Sequence, residues 1–287
     1  MEVFLQAMVL SLSNAAVYVV LGTSVSLIFG ILGVLNFAQG DFMTIGAYVG
    51  LSVVLGLSLG AVQSLFLVLP VMLGIGICFY YGLIRPMRRH SHEMLLVATF
   101  GLAILLQGAV QMIWGGSAIG IERNTASWRF GGVAVSHVAA VNMVLAVTCL
   151  GGLTLLLSYT NLGREIRATA QDRVGAEITG IVTGRVEVAG MCIALLLTGV
   201  AGLMILQRSL LTPQVGFEIV LKAFAITILA GLGSVKGLAY AGLILGISEG
   251  LFSTFISSSL VNVVSFAAMA IALLLRPTGI SGIGERT

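Results

Sequence analysis

Three stretches of this chain set polar or charged side chains into otherwise apolar sequence. The first, Gly33 to Gly50, carries Asn36, Gln39 and Asp41. A carboxylate inside an apolar segment is costly unless it faces a polar cavity or a partner. Two readings of Asp41 stand side by side: the start of a helix, where its charge complements the dipole, or a place on a route lined by a half-helix. The second stretch, 163–187, holds eight of the twenty-five charged residues. Within it Ile166, Ala170, Val174 and Ile178 recur every fourth position, which predicts one short amphipathic helix from Arg164 to Thr179, with Gly180 as its C-cap. Its apolar residues include no Trp, Phe or Leu to sink into a lipid surface, so close contact with another protein suits it better than a bilayer interface. The third stretch, 230–250, is a glycine-rich break followed by a helix with Gly242 and Gly246 on a small-residue face and an acid, Glu249. It faintly repeats the first, as in transporters built from two related halves.

Neither a nucleotide-binding loop nor a zinc-protease motif occurs in the sequence. There is no GxxxxGK[ST] loop, and Gly231 to Gly237 fails that spacing. HExxH is missing too. Cys78, Cys149 and Cys192 stand singly in apolar runs and read as small core hydrophobes. His90, His92 and His137 are scattered over two loops and suggest no metal site. A role without catalytic residues is expected.

The elements that must position these residues follow from composition. The 287 residues are 58% hydrophobic and 9% charged, with a mean hydropathy of +1.11, whereas soluble domains carry about 25% charged residues. The chain is therefore expected to be an all-α integral membrane protein, a single transmembrane domain over 1–287 of about eight or nine transmembrane helices. Apolar runs place spans near 8–29, 38–57, 62–84, 93–114, 139–159, 188–207, 219–232, 238–257 and 261–275. Broken or re-entrant helices are expected near 30–41 and 219–237, because the kink-prone Gly30 to Gly33 precedes one span and 219–232 is too short to cross unaided. No cleavable leader is expected, since Glu2 is the only charge near the start.

Seven of the fourteen basic residues fall in two segments, Arg85 to His90 and 163–187. Both are expected on the cytoplasmic side, with 115–138 and 208–218 outside and the tail from Arg276 inside. The net charge of +3 is then explained by membrane topology rather than by nucleic acid.

At these segments the chain resembles the permeases of branched-chain amino-acid ABC importers, the LivH family. The likeness is carried by Leu35-Asn-Phe-Ala-Gln-Gly-Asp-Phe-Met-Thr-Ile-Gly-Ala-Tyr48, against a family N-F-A-H-G-E/D pattern followed by I-G-A-Y. It continues through Gly163-Arg164, Ala168, Ala170, Asp172, Ala176, Gly180-Ile181 and Arg185-Val186. It closes on Gly231-Leu-Gly-Ser-Val-Lys-Gly237 and Arg276-Pro-Thr-Gly-Ile280. Departures are Gln39 where the family commonly has His, and Ala230 where it usually has Gly.

The resemblance implies a working complex in the cell (inner or plasma) membrane, surrounded by lipid. This permease would pair with a homologous second one of the LivM type. Two cytoplasmic ATPases of the LivG and LivF types would carry ATP and Mg, and an external solute-binding protein would deliver substrate. Arg164, Glu165, Arg167, Ala170, Asp172, Arg173, Ala176 and Gly180 would belong to the helix seated in an ATPase groove. Asn36, Phe37, Gln39, Gly40 and Asp41 would line the translocation pathway. An apolar route suits branched-chain amino acids, while similar permeases serve urea, amides and aromatic acids. The competing readings are a sugar permease of a related ABC group, a structural membrane subunit, and a secondary transporter or channel. The last would need buried ionisable residues, for which Asp41, Lys222 and Glu249 are the candidates.

Overall fold

The computed structural model describes residues 2–88, 90–121, 126–130, 133–231 and 235–255, with isolated positions beyond. The described helices are α1 (Glu2–Leu32), α2 (Gln39–Leu57), α3 (Leu65–Phe79), which runs through a π-helical turn (Tyr80–Ile84) into α4 (Arg85–Met87), α5 (His92–Trp114), α6 (His137–Tyr159), α7 (Asn161–Gln171), α8 (Arg173–Ile178), α9 (Thr183–Leu206), α10 (Val215–Ala230) and α11 (Val235–Phe255). Among the described residues one antiparallel hairpin, β1 (Ser127–Phe130) and β2 (Val133–Ser136), precedes α6. Among the described residues seven helices are long and apolar enough to cross a membrane. The protein is thus an all-α, multi-pass membrane protein. Most of the expected span 261–275 and all of the tail from Arg276 lie outside the described residues.

The bundle is organised on α1 and α9, whose middle turns are buried nearly all round. Small residues set the close approaches. Gly242, Gly246 and Gly250 of α11 lie against Val19, Ala15 and Ser11 of α1, a register that advances by four residues on both helices. Gly46 of α2 meets Gly199 of α9, and Gly202 lies on the α2 backbone at Met43 and Ala47. With lipid outside, helix association gains little from hydrophobicity, so backbone contact of this kind carries much of the packing.

The regions expected near 30–41 and 219–237 are delimited more closely. Residues 30–32 stay helical, and the non-helical stretch is 33–38, which begins at Gly33 with a φ of +72°. In the second region α10 is itself unbroken and ends at Gly231, φ +88°. At 16 residues it spans about 24 Å, short of a hydrocarbon core of roughly 30 Å.

Contacts sort the connections into two ends. At one end Gln6 bonds the backbone of Ala134 in both directions, Ile119 pairs with Leu211, and Arg208 reaches Asn14 and the carbonyl of Ser13. At the other end Arg88 and Arg173 both approach Glu187, and Gly33 lies near His92. The two basic segments therefore share an end, and the hairpin and the N-terminus of α1 share the opposite one.

Candidate functional site

The break at 33–38 returns the chain into the bundle before α2 begins. Gln39, the first residue of α2, bonds Ser24, eight residues before the end of α1, hence about 12 Å inside that end. Asn36 builds the turn: its Oδ1 accepts from the Ala38 N–H at 3.1 Å, and its Nδ2 donates to Gln39 Oε1 at 2.9 Å. Gln39 Nε2 donates to Ser24 Oγ at 2.6 Å and to Thr198 Oγ1 at 2.5 Å, while the two hydroxyls lie 2.8 Å apart. All four side chains are buried. The result is a closed polar knot between α1, α2 and α9, in which a buried amide finds the partners that hydrocarbon cannot offer.

From this knot a seam runs between α2 and α5. Phe37 stands edge-on to Phe100 (5.9 Å between centroids) and to Phe224 (5.4 Å), and its N–H lies 3.4 Å from Thr99 Oγ1. Asp41 is 1% exposed and faces Gln107, yet neither of its carboxylate oxygens completes a hydrogen bond. Tyr48, seven residues on and so on the same face of the helix, is fully buried with its hydroxyl unpartnered. Its ring lies 5.3 Å from Trp114, itself seven residues after Gln107, and Trp114 Nε1 donates to Ser52 Oγ at 2.8 Å. Buried polar groups are nearly always satisfied, so two open ones along one seam mark a place built for something else. Gly40 lies outside it: its Cα packs on the backbone of Gly216 and on Val220 of α10.

The other buried charges are paired. Lys222 Nζ and Glu249 Oε1 are 2.8 Å apart, and Tyr18 donates to Glu249 at 2.6 Å. Of the three candidates for an ion site, Asp41 alone stands outside this triad. Glu187, fully buried, meets Arg88 and Arg173 and accepts from Tyr80 at 3.0 Å.

The amphipathic segment is two helices rather than one. α7 starts on Thr160, whose hydroxyl accepts from Gly163 N–H. It stops at Asp172, which is extended at φ −153°, ψ 107°, and α8 follows. The kink divides the expected stripe. Ile166 turns inward with Thr169 and Ala176, whereas Ala170 is exposed near Gly30, and Val174 and Ile178 are exposed. Arg164 bonds Asn161, Arg167 bonds the Leu157 carbonyl, and Glu165 is half-buried. Glu177 is held below the usual carboxylate range by the Thr183 hydroxyl and the Arg173 guanidinium. Gly180, φ +88°, ends the segment. Cys78 is exposed on the outer face of the bundle, not in the core as expected.

Sequence reading missed Ser24, Thr99, Gln107 and Thr198, each a lone polar residue in an apolar run. Tyr48 carried a signal, since it lies seven residues from Asp41.

Comparison with known proteins bears on this arrangement. Residues 7–273 match the family described as the permease component of branched-chain amino acid transport systems. The chain is 31% identical to the high-affinity branched-chain amino acid transport system permease protein LivH of Salmonella typhimurium, over 98% of this chain and 96% of the relative. It is 30% identical to LivH of Escherichia coli K12 with the same coverage, and 29% identical to BraD of Pseudomonas aeruginosa, over 98% of this chain and 97% of that one. Its fold resembles a chain of PsaBC from Streptococcus pneumoniae, solved in complex with Fab, with a TM-score of 0.52 at 13% identity, covering 97% and 93% of the two chains. On the family match and these relatives, the chain belongs to the permease components of branched-chain amino acid transport systems.

Proposed function

We propose that this chain is the membrane-spanning permease subunit of an ATP-binding-cassette importer. It forms half of the route for branched-chain or other hydrophobic amino acids handed over by a solute-binding protein. The observation that carries the reading is the α2–α5 seam, where a buried carboxylate is left without a hydrogen bond inside a membrane protein of this family. A carboxylate so placed favours an ammonium group in transit, because a cation offsets what burial of the anion costs. The aromatic side chains of Phe37, Phe100 and Tyr48 give the apolar part of an amino acid a surface to pass along.

ATP and Mg are held by two partner ATPases on the side of Arg88 and of α7–α8, which the excess of Lys and Arg makes cytoplasmic. α7 and α8 seat in an ATPase groove, with the exposed Val174 and Ile178 as apolar anchors between charged flanks. The opposite end faces the binding protein. There an open depression of about 720 Å³ is lined by Val54, Leu55, Gln63, Ile121, His137 and Gln207. A homologous second permease completes the route, and ATP binding switches the pair between inward and outward access.

The test is affinity purification of the tagged chain with its native neighbours coexpressed, followed by mass spectrometry and by ATPase and uptake assays with candidate amino acids. Recovery of nucleotide-binding subunits and a second permease, with ATP-driven uptake, supports the reading. A lone chain that transports without ATP overturns it.

A further inference from the structure

We propose that Glu187 is a positioning residue that links movement of α7–α8 to the polar knot at Gln39. The inference rests on the importer reading above. Glu187 sits in the second turn of α9, fully buried, and gathers side chains from three other segments of the same end. Arg88 comes from the segment after α4, and Tyr80 from the π-helical turn that follows α3. Arg173, the first residue of α8, lies 3.8 Å from Glu187. Arg173 also bonds Glu177 at 3.2 Å, and Glu177 accepts from Thr183 at 2.7 Å, so α8 is tied to the start of α9 by two routes.

α9 then acts as a rod. It is an uninterrupted helix of 24 residues with no proline, so displacement at its start is delivered along its length rather than absorbed in a kink. Glu187 and Thr198 are eleven residues apart, about three turns, which puts them on one face roughly 16 Å apart. Thr198 is the residue of α9 that accepts from Gln39. A shift of α8 therefore pulls on Arg173 and Glu187, travels with α9, and arrives at the turn where α2 begins. The π turn supports the same reading, since such turns cost regular helix hydrogen bonding and concentrate at functional positions. Here it directs the Tyr80 hydroxyl to the carboxylate. An inert salt bridge would not explain why a single buried anion collects groups from the segments on both sides of α5 and α6.

The experiment uses the complete complex, with both permeases, the ATPases and the binding protein, in proteoliposomes. It reads amino acid transported per ATP hydrolysed, using leucine as probe. Glu187→Gln removes the charge at nearly constant shape and is expected to lower this ratio at least fivefold, and Glu187→Asp is expected to restore part of it. A residue needed only for folding lowers the amount of complex and leaves the ratio of the assembled fraction unchanged, which overturns the inference. Should Glu187→Gln fail to assemble, Tyr80→Phe decides: a twofold or greater fall supports the linkage, and an unchanged ratio overturns it. Failure of the importer reading shows separately, as an unmodified complex with no ATP-dependent uptake.

Discussion

Lys222 Nζ lies 2.8 Å from Glu249 Oε1, deep in the bundle, and Tyr18 closes the pair into a triad across α1, α10 and α11. α10 is too short to cross the hydrocarbon core unaided, and this triad anchors it to both neighbours. Removing one partner leaves an uncompensated charge in a low-dielectric interior, which costs about 3–5 kcal/mol. Lys222→Met is accordingly expected to lower the detergent-solubilised thermal midpoint sharply and to reduce the yield of monodisperse protein. Glu249→Gln is expected to do so less, because an amide still accepts from Tyr18. Lys222→Met combined with Glu249→Met is expected to recover most of the loss. A thermal series by fluorescence-detected gel filtration measures all three, and equal stability of Lys222→Met and the parent would contradict the account.

Gly40 and Gly216 bring α2 and α10 into backbone contact: a Cβ on either would overlap the other's carbonyl group. Because the obstacle is backbone, neither helix can yield by changing a rotamer. Gly40→Ala is expected to cost on the order of 1–3 kcal/mol or more. Gly108→Ala on α5, where a Cβ meets nothing within 4 Å, is expected to stay within about 0.5 kcal/mol. The pair of variants in one unfolding series separates close packing from a general intolerance of methyl groups.

The spans were legible because length and apolarity suffice to recognise a membrane helix, and the break after α1 was legible from the glycines at 30 and 33, although its start was expected three residues early. The kink at Asp172 was not, since the every-fourth-residue pattern runs through it unchanged and only docking against α1 and α6 decides which half faces inward. The site divides along the same line. Asn36, Gln39 and Asp41 stood out as polar residues in apolar sequence, but whether each is satisfied depends on helices far away in the chain. Ser24 and Thr198 satisfy Gln39, whereas Gln107 leaves Asp41 open. Sequence likewise offered Lys222 and Glu249 as separate candidates for ion coupling, and only the packing of α10 on α11 makes them a pair.

Topology is open to a direct check. Single-cysteine variants at Gly120 and His90, in a background lacking Cys78, Cys149 and Cys192, lie on opposite ends of the bundle. Membrane-impermeant maleimide is expected to label Gly120→Cys from outside intact cells and His90→Cys only after permeabilisation. Reversed accessibility would invert the assignment of the two ends.

Asp41→Asn keeps the shape of the side chain and removes the charge proposed to meet the substrate ammonium. Charge-assisted hydrogen bonds are worth about 1.5–3 kcal/mol, so uptake of leucine is expected to fall roughly tenfold or more, at about 1.4 kcal/mol per decade, with expression unchanged. Tyr48→Phe, which removes the hydroxyl that is the second open group of the seam, is expected to have a smaller effect in the same direction. Uptake at the parental rate in Asp41→Asn would make the residue helix-start architecture and move the route away from the α2–α5 seam.

The exposed side of α7–α8 supplies the last prediction. Val174 and Ile178 are 65% and 81% exposed, and Ile178 lies at the end of α8 with no part in the cluster at Glu187. Ile178→Asp places a charge on a surface proposed to seat in an ATPase groove while leaving the intramolecular contacts in place. Loss of the partner subunits on affinity purification, with the permease still monodisperse and thermally stable, is the expected outcome. Arg167→Glu combined with Asp172→Arg tests the charged flank, although Arg167 also bonds the Leu157 carbonyl and so carries some structural cost of its own. Retention of both ATPases in Ile178→Asp and in the charge-reversed variant would show that the partner binds elsewhere, because an apolar anchor and its charged rim cannot both be reversed in a seated helix without weakening the seat.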